Sequence, residues 1–173
     1  NLHYAYNQQM LFGHIQLPCS STKDFQQLTE QAYREIYECL RDTGCRYLLR
    51  TWNFFPAITE IWVEHGQTTR YELFCSGRLR AMQTSGIDTK TYPAATVIGN
   101  QSRCLQIYFL ASDVPGIAVE NPRQTSAYNY PLTNTFTRPL FSRGVLKAWG
   151  DCTHFYVSGT ASIVGCETLH IND

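Results

Sequence analysis

The stretch Asp24-Phe25-Gln26-Gln27-Leu28-Thr29-Glu30-Gln31-Ala32-Tyr33-Arg34-Glu35-Ile36-Tyr37-Glu38-Cys39-Leu40-Arg41-Asp42 decides the fold class. Phe25, Leu28, Ala32, Ile36 and Leu40 recur at helical spacing, and Tyr33 and Tyr37 widen the same stripe. The spacing predicts one amphipathic helix over 24–42. Ser21 and Thr22 are candidate N-caps, and Gly44 is a candidate for the left-handed residue that ends it. A stripe of this kind packs on a sheet; it is not a membrane or partner helix.

Working outward, Met10–Leu17 reads as a strand ending at Pro18, and Tyr47–Phe55, rich in strand formers, as another closed by Pro56. Ile61–Glu64 and Thr69–Phe74 flank the turn residues His65-Gly66-Gln67. The second of these runs reads equally as the opening of a helix reaching Met82, because Tyr71, Phe74 and Leu79 also allow that period. Ala95–Gly99 and Cys104–Leu110 read as a closing pair of strands. The order strand, helix, strand, helix, strand, strand is α+β. Residues 117–137 are irregular and polar, a linker with a role of its own. Beyond them Pro139–Val145 and residues 153–158 form a hairpin around a turn near Gly150-Asp151.

Composition narrows the function classes. Fourteen Lys+Arg against fourteen Asp+Glu leave no net charge, which argues against a nucleic-acid partner. No apolar run reaches membrane-spanning length. Seven cysteines at irregular spacing, with no Cys-x-x-Cys pair and no secretion signal, point away from structural zinc and toward a reducing cytosol. Aromatic residues make up 13% of the chain, which suits strand packing or the wall of a pocket.

Two further stretches exceed what a foldable domain needs. Glu120-Asn121-Pro122-Arg123-Gln124-Thr125-Ser126-Ala127-Tyr128-Asn129-Tyr130-Pro131 crowds an arginine and two tyrosines into a segment with no regular period. Ser158-Gly159-Thr160-Ala161-Ser162-Ile163-Val164-Gly165 breaks a strand into Gly and small hydroxyl residues, the composition that lets a backbone approach a ligand. With Leu49-Arg50-x-Trp52-Asn53 and Phe74-Cys75-x-Gly77-Arg78, these stretches resemble the chorismatase family, also known as pteridine-dependent dioxygenase-like proteins. The resemblance runs along nearly the whole chain. It implies the YjgF-like fold of the reactive-intermediate deaminases, a mixed sheet with two helices on one face.

On that basis residues 1–112 are one such unit, 113–138 a linker carrying site residues, and 139–173 the first strands of a second, incomplete unit. The N-terminus is expected to be short of a first hairpin strand, and the chain to be the central section of a longer protein. Phe141-Ser142 and Ser158-Gly159 fit the two strand signatures of the second unit. In Pro93-Ala94-Ala95-Thr96-Val97 the deaminases have an arginine where this chain has Ala95, which argues against imine deamination.

The resemblance implies cleavage of the enol ether of chorismate to pyruvate and either a dihydroxycyclohexadiene carboxylate or a hydroxybenzoate, without metal or organic cofactor. Such a reaction needs grips for two carboxylates and a carboxylic acid able to give a proton. Arg123, Arg138 and Arg143 are the candidate grips, with Arg143, beside Phe141 and Ser142, the strongest. Tyr128 and Tyr130 are candidates for walling the ring, and Gly159, Thr160 and Ala161 for meeting the ligand with backbone and a small side chain. In the family the residue after Gly-Thr helps decide the product, and Ala161 matches the branch that forms the diene-diol.

Glu167 is a weak candidate for the acid. Gly165-Cys166-Glu167 departs from the family's Gly-His-Glu, and the fold implies a catalytic glutamate beyond Asp173. The isolated 173-residue chain is therefore expected to be inactive. Cys75 is a thiol near a cation, but no His/Asn context activates it. A homotrimer is what the deaminase fold implies. The rival readings are a non-catalytic metabolite-binding module, and an enamine/imine deaminase or endoribonuclease-type relative.

Overall fold

The computed structural model describes residues 1–19, 25–62, 68–86, 92–131 and 137–170. Its main sheet has the order β1 (Leu2–Tyr6), β2 (Met10–Pro18), β7 (Cys104–Ser112), β3 (Tyr47–Phe55) and β6 (Ala94–Gly99). All neighbours are antiparallel except β3 and β6, which run parallel with Thr51 opposite Ala95. Two helices, α1 (Phe25–Thr43) and α2 (Arg70–Ser85), pack on each other and on the sheet residues Leu11, Ile15, Leu105, Ile107 and Phe109. The chain is thus a mixed α+β structure with a mostly antiparallel sheet.

Helix α1 follows its apolar period: Phe25, Ala32, Tyr33, Ile36, Tyr37 and Leu40 are all buried. Gly44 ends it at φ +76°, with its N–H bonded to the Arg41 carbonyl at 3.3 Å. The candidate caps Ser21 and Thr22, and Asp24, lie outside the described residues, as do the turn residues His65-Gly66-Gln67. Inside the core the Tyr33 hydroxyl donates to Asn53 Oδ1 at 2.7 Å, tying α1 to β3. Tyr33→Phe would leave that buried oxygen without its donor. It is expected to cost about 1–3 kcal/mol in a denaturant titration, the usual penalty for an orphaned buried acceptor.

Three sequence expectations need correction, and one open choice is resolved. The strand reading of Thr69–Phe74 gives way to α2, ahead of which only Thr68–Thr69 (β5) is strand, paired with Ile61–Trp62 (β4). Thr69 N–H donates to Glu72 Oε2 at 2.6 Å and Glu72 N–H to Thr69 Oγ1 at 3.2 Å, a capping box that commits the segment to helix. Strands β6 and β7 are consecutive but not paired, because β3 lies between them. The expected shortage of a first hairpin strand is not found: β1 pairs with β2 across an Asn7 turn, whose Oδ1 accepts from the N–H groups of Gln9 and Met10. Within the expected irregular linker, Ile117–Val119 forms a strand, β8.

That strand belongs to a second, three-stranded sheet of order β10 (Cys152–Val157), β9 (Gly144–Trp149), β8. β9 and β10 form a hairpin turned at Gly150 with φ +58°, as expected, but its first strand is Gly144–Trp149 and not Pro139–Val145. The second sheet abuts the free edge of β6. Ser142 N–H donates to the Pro93 carbonyl at 3.0 Å, and Gly159 N–H to the Ala95 carbonyl at 3.0 Å. Ser158 Oγ accepts from Ala95 N–H at 2.8 Å and donates to the Ser142 carbonyl at 2.5 Å. The two serines of the Phe-Ser and Ser-Gly pairs therefore join the sheets, and they set the residues next to them at the mouth of a cavity. Among the described residues no helix is long and apolar enough to cross a membrane.

Candidate functional site

The cavity, of about 740 Å³, opens where α2, β6 and the second sheet meet. Its apolar wall includes Phe74 from α2, Ala95 and Val97 from β6, and Leu140 and Phe141 from the approach to β9. Three arginines line it: Arg78 on α2, Arg138, and Arg143 at the start of β9. Each keeps a buried Nε–H without a hydrogen-bond partner. Two carboxylates share the cavity, Glu72 and Glu167. Glu72 is already engaged, with both the N–H and the hydroxyl of Thr69 donating to its Oε2. The cationic excess suits an anionic ligand with apolar bulk.

Arg143 is held from several sides. It is 9% exposed. Its Nη2 donates to Tyr130 Oη at 2.6 Å and to the Thr125 carbonyl at 3.2 Å, and Nη1 reaches Thr160 Oγ1 at 3.5 Å. The guanidinium also stands 5.2 Å from the Phe141 ring centroid. Fixed on so many partners, the side chain loses little further freedom when a ligand binds.

The two sequence stretches singled out for their composition interlock beside it. Thr125 N–H donates to the Gly165 carbonyl at 2.8 Å, and Gly165 N–H donates to the Arg123 carbonyl at 2.9 Å. Gln124 Nε2 donates to the Ile163 carbonyl at 3.0 Å. Gly165 has φ +61°, a conformation few other residues adopt readily. The loop around Tyr130 and the turn carrying Gly159–Ala161 thus form one wall.

Of the expected site residues, the structure brings Tyr130, Arg138, Phe141, Arg143, Gly159, Thr160 and Ala161 to the cavity. It does not bring Arg123 or Tyr128. Arg123 is exposed and contributes its backbone carbonyl, while Tyr128 stacks on Tyr92 with centroids 4.9 Å apart. Tyr128 therefore anchors the loop that carries Tyr130. Glu167 lies at the rim, exposed, where β11 (Ile163–Val164) pairs with β12 (Glu167–Thr168).

The contribution of α2 escaped the sequence reading. Tyr71, Phe74, Cys75 and Arg78 recur at intervals of three and four, so an arginine at the end of an apolar helical stripe was the available signal. The Cys75 thiol is buried. Burial pushes its thiol up to about 11, which keeps it protonated at neutral pH. Among the described residues no cluster of three His, Cys, Asp or Glu side chains is placed to hold a metal ion.

Residues 1–111 match the family model described as chorismatase FkbO/Hyg5-like, N-terminal. The chain is 33% identical over 175 residues to a 3-hydroxybenzoate synthase of Streptomyces hygroscopicus, a match covering 98% of this chain and 50% of that protein. It is 34% identical over 148 residues to a chorismatase of Streptomyces rapamycinicus, covering 84% of this chain and 44% of that one. A chorismatase crystal structure superposes with a TM-score of 0.91 at 30% identity, over 99% of this chain and 51% of its own. The chain thus spans about half the length of the curated relatives it matches. With the family model matching well over half of its residues, the chain belongs to the chorismatase family.

Proposed function

We propose that the protein of which this chain is part cleaves the enol ether of chorismate, releasing pyruvate. The observation that carries this reading is the cavity itself. It sets arginines against an aromatic and apolar wall, in a chain of the chorismatase family. A cyclic dicarboxylate needs both surfaces: guanidinium forks for its carboxylates and apolar contact for its ring. Arg143, with Arg138, grips a carboxylate, Tyr130 and Phe141 flank the ring, and Gly159–Ala161 bring backbone close to it. Tyr130, whose hydroxyl accepts from Arg143, also keeps the guanidinium turned inward.

In the reaction a proton goes to the methylene carbon of the enol ether, leaving an oxocarbenium ion. Water adds to that ion, and the resulting hemiketal collapses to pyruvate and the ring alcohol. We place the proton donor in the part of the protein outside this chain, not at Glu167 on the exposed rim. The fold is read as YjgF-like, with residues 1–112 as one unit, 113–138 as the connection and 139–173 opening a second. Strand β8, inside the connection, pairs with that second unit.

The test is chorismate turnover by the intact, metal-free protein, following pyruvate and identifying the ring product. Pyruvate with the diene-diol is the expected result, given Ala161 on the cavity wall. Pyruvate with 3-hydroxybenzoate would keep the reaction class and overturn the product assignment. Folded, complete protein that releases no pyruvate would leave a metabolite-binding module.

A further inference from the structure

Arg78 is an arginine where the core should disfavour one. It lies midway along α2, is 5% exposed, and its guanidinium carbon is 5.1 Å from the Tyr33 ring centroid. Its Nε–H is buried with no partner. Removing a charge from water costs several kcal/mol, and proteins ordinarily offset that with a paired carboxylate. No carboxylate among the described residues lies within ion-pair distance of Arg78. Glu72, on the same helix, is committed to Thr69.

The acidic groups that do surround Arg78 carry no charge at neutral pH. Burial raises the phenols of Tyr33, Tyr37 and Tyr71 above their ordinary value, and the Cys75 thiol to about 11. The guanidinium therefore sits among neutral neighbours. It is also held in place from behind. The preceding residue, Gly77, lies so close to α1 that a Cβ there would come within 2.3 Å of the Gln26 carbonyl oxygen. And it lines the same cavity as Arg138 and Arg143.

We infer that Arg78 is a carboxylate-binding residue, a fixed cation on the buried wall of the cavity whose counter-charge is the ligand's own carboxylate. The identity of that ligand rests on the chorismate reading; the need for an anion does not. Arg78 and Arg143 come from separate elements, a helix and a strand. A ligand with two carboxylates would span the cavity between them, which selects for dicarboxylates over monocarboxylates.

The experiment uses the intact protein as wild type, Arg78→Met and Arg78→Lys. It measures melting temperature without ligand, the dissociation constant for 3-hydroxybenzoate, and KM and kcat for chorismate. Arg78→Met replaces an uncompensated charge with apolar volume, so it is expected to melt at or above the wild-type temperature. Both binding of 3-hydroxybenzoate and KM for chorismate should weaken by about 30-fold or more, the usual consequence of truncating one partner of a buried charge pair. Arg78→Lys should fall between the two, keeping the charge and losing the fork.

A folded Arg78→Met protein that binds within twofold of wild type would overturn the inference. So would one that melts well below wild type, since the guanidinium would then be a structural part of the core. If wild type fails to turn over chorismate while 3-hydroxybenzoate binding still depends on Arg78, the reaction reading falls and this inference stands.

Discussion

Arg143→Met is expected to lower kcat/KM for chorismate by about 100-fold or more in the intact protein, the scale of losing a buried, charge-assisted grip. The argument is geometric. Arg143 is nearly buried, and both its terminal nitrogens have protein partners. Of its five N–H groups three are so engaged, which leaves one on Nη1 and the Nε–H, in a residue that lines the cavity. Methionine keeps an aliphatic stem of similar length and removes every donor, and with them the guanidinium contact to the Phe141 ring. Lysine keeps the charge but cannot bond Tyr130, Thr125 and Thr160 together, so Arg143→Lys should lose most of the same activity.

If Arg143 binds the ground state and the transition state equally, the loss appears in KM; if its bond strengthens as charge develops, kcat falls as well. The melting temperature of each variant must be measured alongside, because Arg143 also ties the 120–131 loop to β9. Wild-type kcat/KM in a folded Arg143→Met protein would remove Arg143 from the binding site.

Gly77→Ala is expected to destabilise the fold by about 1–3 kcal/mol, the usual range for overpacking a filled core. Alanine in a helix interior normally gains about 1 kcal/mol over glycine. Here the steric term wins. A Cβ at residue 77 would lie 2.3 Å from the Gln26 carbonyl oxygen, 2.8 Å from Thr29 Cβ and 3.0 Å from the Glu30 nitrogen. Two of these three atoms are backbone in α1, which cannot rotate away as a side-chain tip can. The helices would have to separate along their contact, drawing Phe74 and Arg78 out of line with the cavity. For a chain of this length the change corresponds to a fall in melting temperature of roughly 2–4 °C per kcal/mol. An unchanged or raised melting temperature would show that α1 and α2 are not in contact at Gly77.

The two variants probe different kinds of information. The α1 stripe and the strands Met10–Pro18 and Tyr47–Phe55 were legible because their signal is local: a 3.6-residue period, a run of strand formers, a proline or glycine at the end. Helix α2 was legible only as one of two readings, through Tyr71, Phe74 and Leu79, and the capping pair Thr69-x-x-Glu72 that decides between them went unread. The first hairpin strand was missed because Leu2–Tyr6 is short and mostly exposed, with no apolar alternation to mark it.

The site shows the same division. Glycines, prolines and paired aromatics marked 120–131 and 158–165 as unusual, and the two segments do meet. Nothing in either segment says which side chains turn inward. Arg123 and Arg143 look alike as residues; one contributes only its carbonyl to the Gly165 contact, the other is buried among Tyr130, Phe141 and Thr160. Arg78 lies far from both in sequence and reaches the cavity only because Gly77 lets α2 pack closely on α1.

Periodicity and turn chemistry act over a few residues, so helices, strands and the α+β class follow from neighbours along the chain. Strand order, with β3 between β6 and β7, is chosen by which faces bury best once the chain has collapsed. The joining of the two sheets through Ser142 and Ser158, and the gathering of three arginines without a matching set of free carboxylates, come from contacts between distant residues. No local pattern encodes them, because their free energy exists only when the whole structure is assembled.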